Sequence, residues 1–405
     1  MVERRSLRDW YELLKWRRRI QAWRAADWRS LAGWARDYVR YWTLDVWCDA
    51  TKLCKLHGDY VASAYDISHR RQVLQLWWLH FRYDVPLRDY YIYALYRPNR
   101  WNRASEHISE FWMLQEELIN RTSPDEKIIC DDKVRFYVHC IQHDISTVPI
   151  LGIIDSSGAR DIDGSPLSDP RQDLFIKPRE GYEGQGAMKL TYGNGSYVTG
   201  ELSFKTWEAA RSWLTNELGS NEDFVVQPVI NIHCDWRQYT SGAVPTVRLV
   251  THRLPEGDIE PLAAVLRMPV GEVITDNWAT GGLAATIEIS SGFLQKGIPK
   301  YPAQGADSYK QHPDTGHRFF ETRLSGWADI IDQAISAHKS LDMLFVGWDI
   351  TRTPEGVCFI EANKCWDPFT FIHAEGYPLE DTQIGPLYAE YMRYCHANST
   401  HIPQG

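Results

Sequence analysis

The sequence predicts an α+β protein, with a Trp/Arg-rich helical N-terminal region followed by a body built on antiparallel sheets. Two compositional regimes and one missing pattern predict it. The first 112 residues hold 11 of the 18 tryptophans and almost no Gly or Pro, and their apolar residues recur at helical spacing. From about residue 125 the chain changes to short apolar runs bounded by turn residues, the pattern of strands. These runs show no regular βαβ alternation, so the sheets are expected to be antiparallel.

In the N-terminal region Trp16, Ile20 and Trp23 follow i, i+4, i+7 spacing, and Leu31, Trp34, Tyr38 and Tyr41 repeat it, with arginines at the opposite positions. A further helix is expected over Gln72–Tyr83, with Leu74, Trp77, Trp78 and Phe81 as its apolar stripe. Pro86 ends it, and an aromatic segment Tyr90–Tyr96 follows before Pro98. Aromatic stripes at helical spacing are usually core. The expectation is therefore a helical layer packed through these stripes, against the alternative that residues 1–42 dock a protein partner or rest on an anionic membrane.

In the body, Leu174–Ile176, Phe224–Val226, Val247–Val250, Ala263–Leu266 and Met343–Val346 read as strands. Asn194-Gly195 stands between Met188–Tyr192 and Ser196–Val198, a strong hairpin signal because that pair accepts positive φ at little cost. Helices are expected over Trp207–Leu218 and Trp327–Leu341.

The charge balance narrows the function classes. The net charge is −9, yet residues 1–42 hold 11 Lys/Arg against 5 Asp/Glu, so the remaining body is strongly acidic. That argues against a duplex nucleic-acid binder, which needs a broad basic surface. The eight cysteines are scattered without a CxxC pair, and His139 and His143 alone do not make a zinc site. No run of about 20 apolar residues is present. With no export signal behind Met1, a cytoplasmic location is expected.

Three stretches carry chemistry. Phe175-Ile176-Lys177-Pro178 is an apolar strand delivering a lysine to the loop Gly181, Gly184, Gly186. Glycines let backbone N–H groups approach phosphate oxygens, and the lysine adds positive charge. The order is neither that of a Walker A loop nor of a Rossmann fingerprint, and alone it is equally an ordinary turn. Next, Phe345–Ile350 and Val357–Asn363 flank the turn Thr353-Pro354-Glu355-Gly356. In that hairpin Asp349 and Glu361 can face each other, and Glu361 and Asn363, at i and i+2, share one face. Three oxygen donors on one surface suit Mg²⁺, with phosphates and water completing its shell; the alternative is a solvent-facing polar edge. Finally, Arg248 and Arg267 lie on apolar strands, where they must meet anions, either a substrate or a structural carboxylate. The loop Asp276–Gly282 lies between these and the carboxylates.

Taken in order, these pieces resemble the ATP-grasp superfamily, and most of all its sugar-transfer-associated branch, related to alpha-L-glutamate ligases. The resemblance covers roughly residues 125–395 and implies an ATP-grasp fold, two α+β subdomains clasping ATP, over 113–398, with the helical region over 1–112. It implies that Lys133 and Lys177 contact ATP phosphates and that Gly181, Gly184 and Gly186 close over them. By the same resemblance Val226 and Gln227 belong to the hinge that recognises adenine, where the family usually carries Glu, and Asp235 binds the ribose. Asp349, Glu361 and Asn363 match the metal positions for one or two Mg²⁺. Arg248, Arg267 and Asn277 match the side where substrate meets the transferred phosphate.

The implied activity is a carboxylate–amine ligase. A small-molecule carboxylate is activated as an acylphosphate and joined to an amine or sugar nucleophile, in sugar, polysaccharide or natural-product biosynthesis. The alternatives are a kinase of the same fold that phosphorylates a hydroxyl, and a non-catalytic partner-docking protein.

Overall fold

The computed structural model describes residues 6–25, 44–181, 186–218, 222–273, 281–301, 307–369, 372 and 377–398. The chain divides into two compact units, one formed by Met1–Thr122, Ile298–Ser308 and Cys365–Gly405, the other by Ser123–Gly297 and Tyr309–Lys364.

The first unit is helical. Its long helices are α1 (Leu7–Ala25), α2 (Val46–Tyr65), α3 (His69–Tyr83) and α4 (Phe111–Thr122). Local signals set their ends. Ser68 caps α3 by accepting from the Arg71 N–H at 3.4 Å, and Asp84 closes it in the left-handed region at φ 56°. Tyr90–Tyr96 is buried throughout, as a short helix and turns.

The stripes expected to be core are not the packed faces. Helix α3 buries Val73, Leu76 and Leu79, while Leu74, Trp78 and Phe81 are exposed. Helix α1 buries Leu7, Trp10, Tyr11 and Leu14, and leaves Trp16 and Ile20 exposed. Helical periodicity marks a stripe, but α3 has apolar residues on two sides and tertiary contact chose the other one. The Trp23 side chain and the Leu31–Tyr41 stripe lie outside the described residues.

The second unit holds two antiparallel sheets. The seven-stranded sheet contains β1 (Gly152–Asp155), β2 (Gly158–Arg160), β3 (Leu174–Pro178), β4 (Met188–Gly193), β5 (Ser196–Thr199), β6 (Leu202–Phe204) and β7 (Phe224–Pro228), in the order β2-β1-β7-β3-β4-β5-β6. The β4–β5 hairpin turns at Asn194 and Gly195, both at positive φ (52° and 75°). Before α5 (Lys133–Gln142), Asp132 accepts from the Val134 and Arg135 N–H groups as an N-cap. Helix α6 (Trp207–Leu218) packs on this sheet. The core there gathers Ile154, Leu174, Ile176, Trp207, Leu214 and Val226.

The six-stranded sheet contains β8 (Thr246–Arg253), β9 (Ile259–Met268), β10 (Leu283–Ile287), β11 (Leu294–Pro299), β12 (Phe345–Thr353) and β13 (Gly356–Asn363), in the order β11-β10-β9-β8-β12-β13. Helix α7 (Trp327–His338) packs on β8, β9 and β12. The C-terminal helix α8 (Ile384–Asn398) returns to the first unit, against α1 and α4.

The hairpin turn supplies a clean test of backbone cost. No atom stands within 4 Å of a Cβ placed on Gly195, so a side chain there meets only the strain of its φ. Gly195→Val is expected to lower stability by about 1–2 kcal/mol, read by urea unfolding.

Candidate active site

The site grows from the pairing of β12 with β8 and β13. Register places Asp349 opposite Arg248 on one side and Glu361 on the other. Immediately afterwards the β12–β13 register shifts, so that Ile350 faces Phe359 and Ile360 is the extra residue of a bulge. Strand alternation sends Trp348 to the opposite face. There its indole N–H donates to Thr251 Oγ1 at 2.8 Å, and Thr251 lies 2.7 Å from Nδ1 of the buried His338 on α7. His338 Nε2 lies 2.8 Å from the Met343 carbonyl, which makes Nε2 the donor and Nδ1 the acceptor of the Thr251 hydroxyl. Burial pushes the His338 pKa down to about 4, so this imidazole stays neutral.

Asp349 is 5% exposed. Arg248 donates to it from Nε and Nη2, at 2.5 and 2.9 Å, and Arg267 from Nη2 at 2.6 Å. Burial alone raises this carboxyl, but the two guanidinium charges outweigh it and hold Asp349 far below the usual carboxylate range. Glu361 behaves oppositely. Burial, then the charge of Asp349 and a hydrogen bond to it, raise the Glu361 pKa, with Lys177 and Arg248 opposing. Asn363 donates from Nδ2 to Glu361 Oε1 at 3.3 Å.

Two lysines act on this cluster through their charge. Lys177 lies on β3, and its charge is felt at Glu361. Lys133 opens α5, with Nζ 3.2 Å from the Gly181 carbonyl. Burial lowers its pKa, against the raising charges of Glu361 and Asp132. Gly181 and Gly186 both need positive φ (123° and 74°), and a Cβ on Gly186 would stand 3.1 Å from Pro178. Gly184 and Asn277 lie outside the described residues.

The remaining expected residues are placed differently. Val226 sits between β1 and β3, its carbonyl accepting from the Leu151 N–H at 2.8 Å. Gln227 is buried and donates to the Val148 carbonyl at 3.3 Å. Asp235 is exposed and accepts from Ser325 Oγ at 2.7 Å and Arg352 Nη1 at 3.4 Å. Arg352 and Asp349 are three residues apart on β12, so alternation puts Arg352, and Asp235 with it, on the α7 side of the sheet rather than with the carboxylates.

One positioning pair is missing from the sequence reading. Arg179, just past β3, grips the N-cap Asp132 through Nε (3.0 Å to each carboxylate oxygen) and Nη2 (2.7 Å), and reaches Asp223 at 3.2 Å. Burial raises Asp132, while Arg179 and the capped N–H groups outweigh it and leave its pKa lowered. The clamp fixes Lys133 at the root of the glycine loop. Only the adjacency of Asp132 to Lys133 hinted at it.

Helices laid against two separate antiparallel sheets make an α+β fold of the ATP-grasp class. The chain belongs to the sugar-transfer associated ATP-grasp family, whose model matches residues 114–379. No curated protein matches it. Among solved structures, it is similar to the L-amino acid ligase from Bacillus licheniformis (12% identity, TM-score 0.34, 61% of this chain and 43% of that one). It is similar also to N5-carboxyaminoimidazole synthetase from Staphylococcus aureus (12%, 0.37, 64% and 52%). A third is the D-alanine–D-alanine ligase from Bacillus anthracis (12%, 0.36, 66% and 69%). The chain spans about half the length of the first two.

Removing Asp349 leaves two guanidinium groups in a buried place without their shared anion. Asp349→Ala is expected to cost about 3–5 kcal/mol, read by urea unfolding, whereas Asp235→Ala, at an exposed pair, should leave the unfolding midpoint nearly unchanged.

Proposed function

We propose that this protein is an ATP-dependent ligase that activates a carboxylate substrate as an acylphosphate and joins it to an amine or sugar nucleophile. The observation that carries the reading is the pairing of Asp349 with Glu361 across β12 and β13, with the charge of Lys177 felt at Glu361 and that of Glu361 felt at Lys133. Two acids and two lysines around one place are what a phosphate chain with a divalent cation requires.

The donors fit Mg²⁺ chemically. Asp349 Oδ1 accepts from Arg248 Nε and Arg267 Nη2 and Oδ2 from Arg248 Nη2, and Glu361 and Asn363 offer further hard oxygens beside them. Asp349, Glu361 and Asn363 would hold the ion, which supplies charge neutralisation on the β- and γ-phosphates. Lys133 and Lys177 are assigned to phosphate oxygens, with Gly181 and Gly186 supplying backbone beside them. Val226 and Gln227 are the candidates for the adenine edge, whereas Asp235, held by Arg352 on the α7 side of the sheet, is not carried into this site.

A substrate carboxylate oxygen attacks the γ-phosphorus and ADP leaves, giving an acylphosphate. The amine then attacks the acyl carbon, phosphate leaves with the C–O electrons, and the amine's proton passes to solvent or phosphate. Arg248 and Arg267, anchored by Asp349, place positive charge where the acyl oxygen becomes negative.

The test is ATP turnover with hydroxylamine as acceptor across a panel of carboxylates and amino sugars. A hydroxamate is expected from the right carboxylate, and Glu361→Gln should lower turnover by about 100-fold or more. A phosphorylated alcohol without hydroxamate would make the protein a kinase. Near-normal turnover by folded Glu361→Gln would remove the metal assignment. A cation on Glu361 competes with its proton, and burial beside Asp349 raises the proton's hold, so Mg²⁺-dependent nucleotide affinity should weaken as pH is lowered, read by calorimetry at several pH values.

A further inference from the structure

Helix α3 has two apolar sides, and only one is packed. Val73, Leu76 and Leu79 are buried, while Leu74 and Trp78, at i and i+4, are 55% and 45% exposed on the opposite side. Phe81 continues that side, with its ring stacked on Trp77 at 5.1 Å. Arg70 and Arg71 at one end and Arg82 at the other are exposed around the same face, and the helix contains no Asp or Glu.

Helix α1 extends the surface. Every residue from Trp16 to Gln21 is exposed, including Arg17, Arg18, Arg19 and Ile20, and Trp16 reaches 62%. Lys15 and Arg19 both pair with Asp84, at 2.7 and 2.8 Å, which sets this half of α1 beside the C-terminal end of α3. Among the described residues every exposed tryptophan (Trp16, Trp47, Trp78 and Trp112) belongs to the helical unit.

We propose that the exposed side of α3, with the outer half of α1, docks on the surface of an anionic lipid bilayer. Trp and Leu side chains sit at the boundary between headgroups and acyl chains, while flanking arginines reach back to lipid phosphates. The charge of the surface selects the occupant. A second copy docked through the same face about a two-fold axis would bring Arg70, Arg71 and Arg82 against like charges, and a wholly apolar partner would leave them without counter-ions. A chain of net charge −9 is held off anionic lipid everywhere except through a basic face, so the same charges also orient it.

The test is co-sedimentation of the full chain with vesicles of phosphatidylcholine, and with vesicles of equal parts phosphatidylcholine and phosphatidylglycerol. Binding is expected to the mixed vesicles only and to weaken with salt. The pairs Arg70→Glu/Arg71→Glu and Leu74→Ser/Trp78→Ser should each lower partitioning by at least about tenfold. Both pairs are solvent-exposed, so unchanged melting temperature and ATP turnover confirm that the fold is intact. Equal binding to both vesicles, no binding to either, or wild-type binding by both variants overturns the proposal. So does self-association in the ultracentrifuge that Leu74→Ser/Trp78→Ser abolishes, which would assign the face to a second copy.

Discussion

The buried carboxylate of Asp349 is the constraint on which the six-stranded sheet depends. A carboxylate taken from water needs opposite charge and hydrogen bonds, and here both come from arginines on β8 and β9. That fixes three strands at once. Arg248 can reach Asp349 only in the observed β8–β12 register, and Arg267 only if β9 pairs with β8 as it does. A slip of one residue on β12 would turn Asp349 toward α7 and away from both guanidinium groups.

The opposite face of β12 is fixed by a chain in which each donor has one acceptor: Trp348 to Thr251, Thr251 to His338, and His338 to the Met343 carbonyl. Because His338 stays neutral, the direction of the chain does not change over ordinary pH. The same strand is thus held by charge on one side and by neutral hydrogen bonds on the other. The raised pKa of Glu361, on the next strand, follows from burial beside an anion already committed to two arginines.

Much of this was legible in the sequence, because strand alternation and turn chemistry are local. The Thr353–Gly356 turn and the two apolar runs predicted that Asp349 and Glu361 meet, and Asn194-Gly195 predicted its hairpin. For Arg248 the sequence left a choice between a structural carboxylate and a substrate. The structure supplies the carboxylate, and it is the candidate metal ligand itself. What stayed hidden depends on contacts between distant residues. The Asp132–Arg179 clamp joins positions 47 apart, and the bulge at Ile360 has no sequence mark. The packed side of α3 is decided by its neighbours, since both of its sides are apolar. Asp235 was assigned by order along the chain, which does not reveal that Arg352 holds it on the α7 side of the sheet.

The central claim is that Asp349, Glu361 and Asn363 are the metal half of a nucleotide site. Electron paramagnetic resonance of Mn²⁺, titrated into the full chain with ADP present, tests it most directly. The account predicts one or two tightly bound Mn²⁺ per chain that require both the nucleotide and an unsubstituted Glu361. Mn²⁺ that stays free in the presence of ADP, or binds equally well to Glu361→Gln, would contradict it.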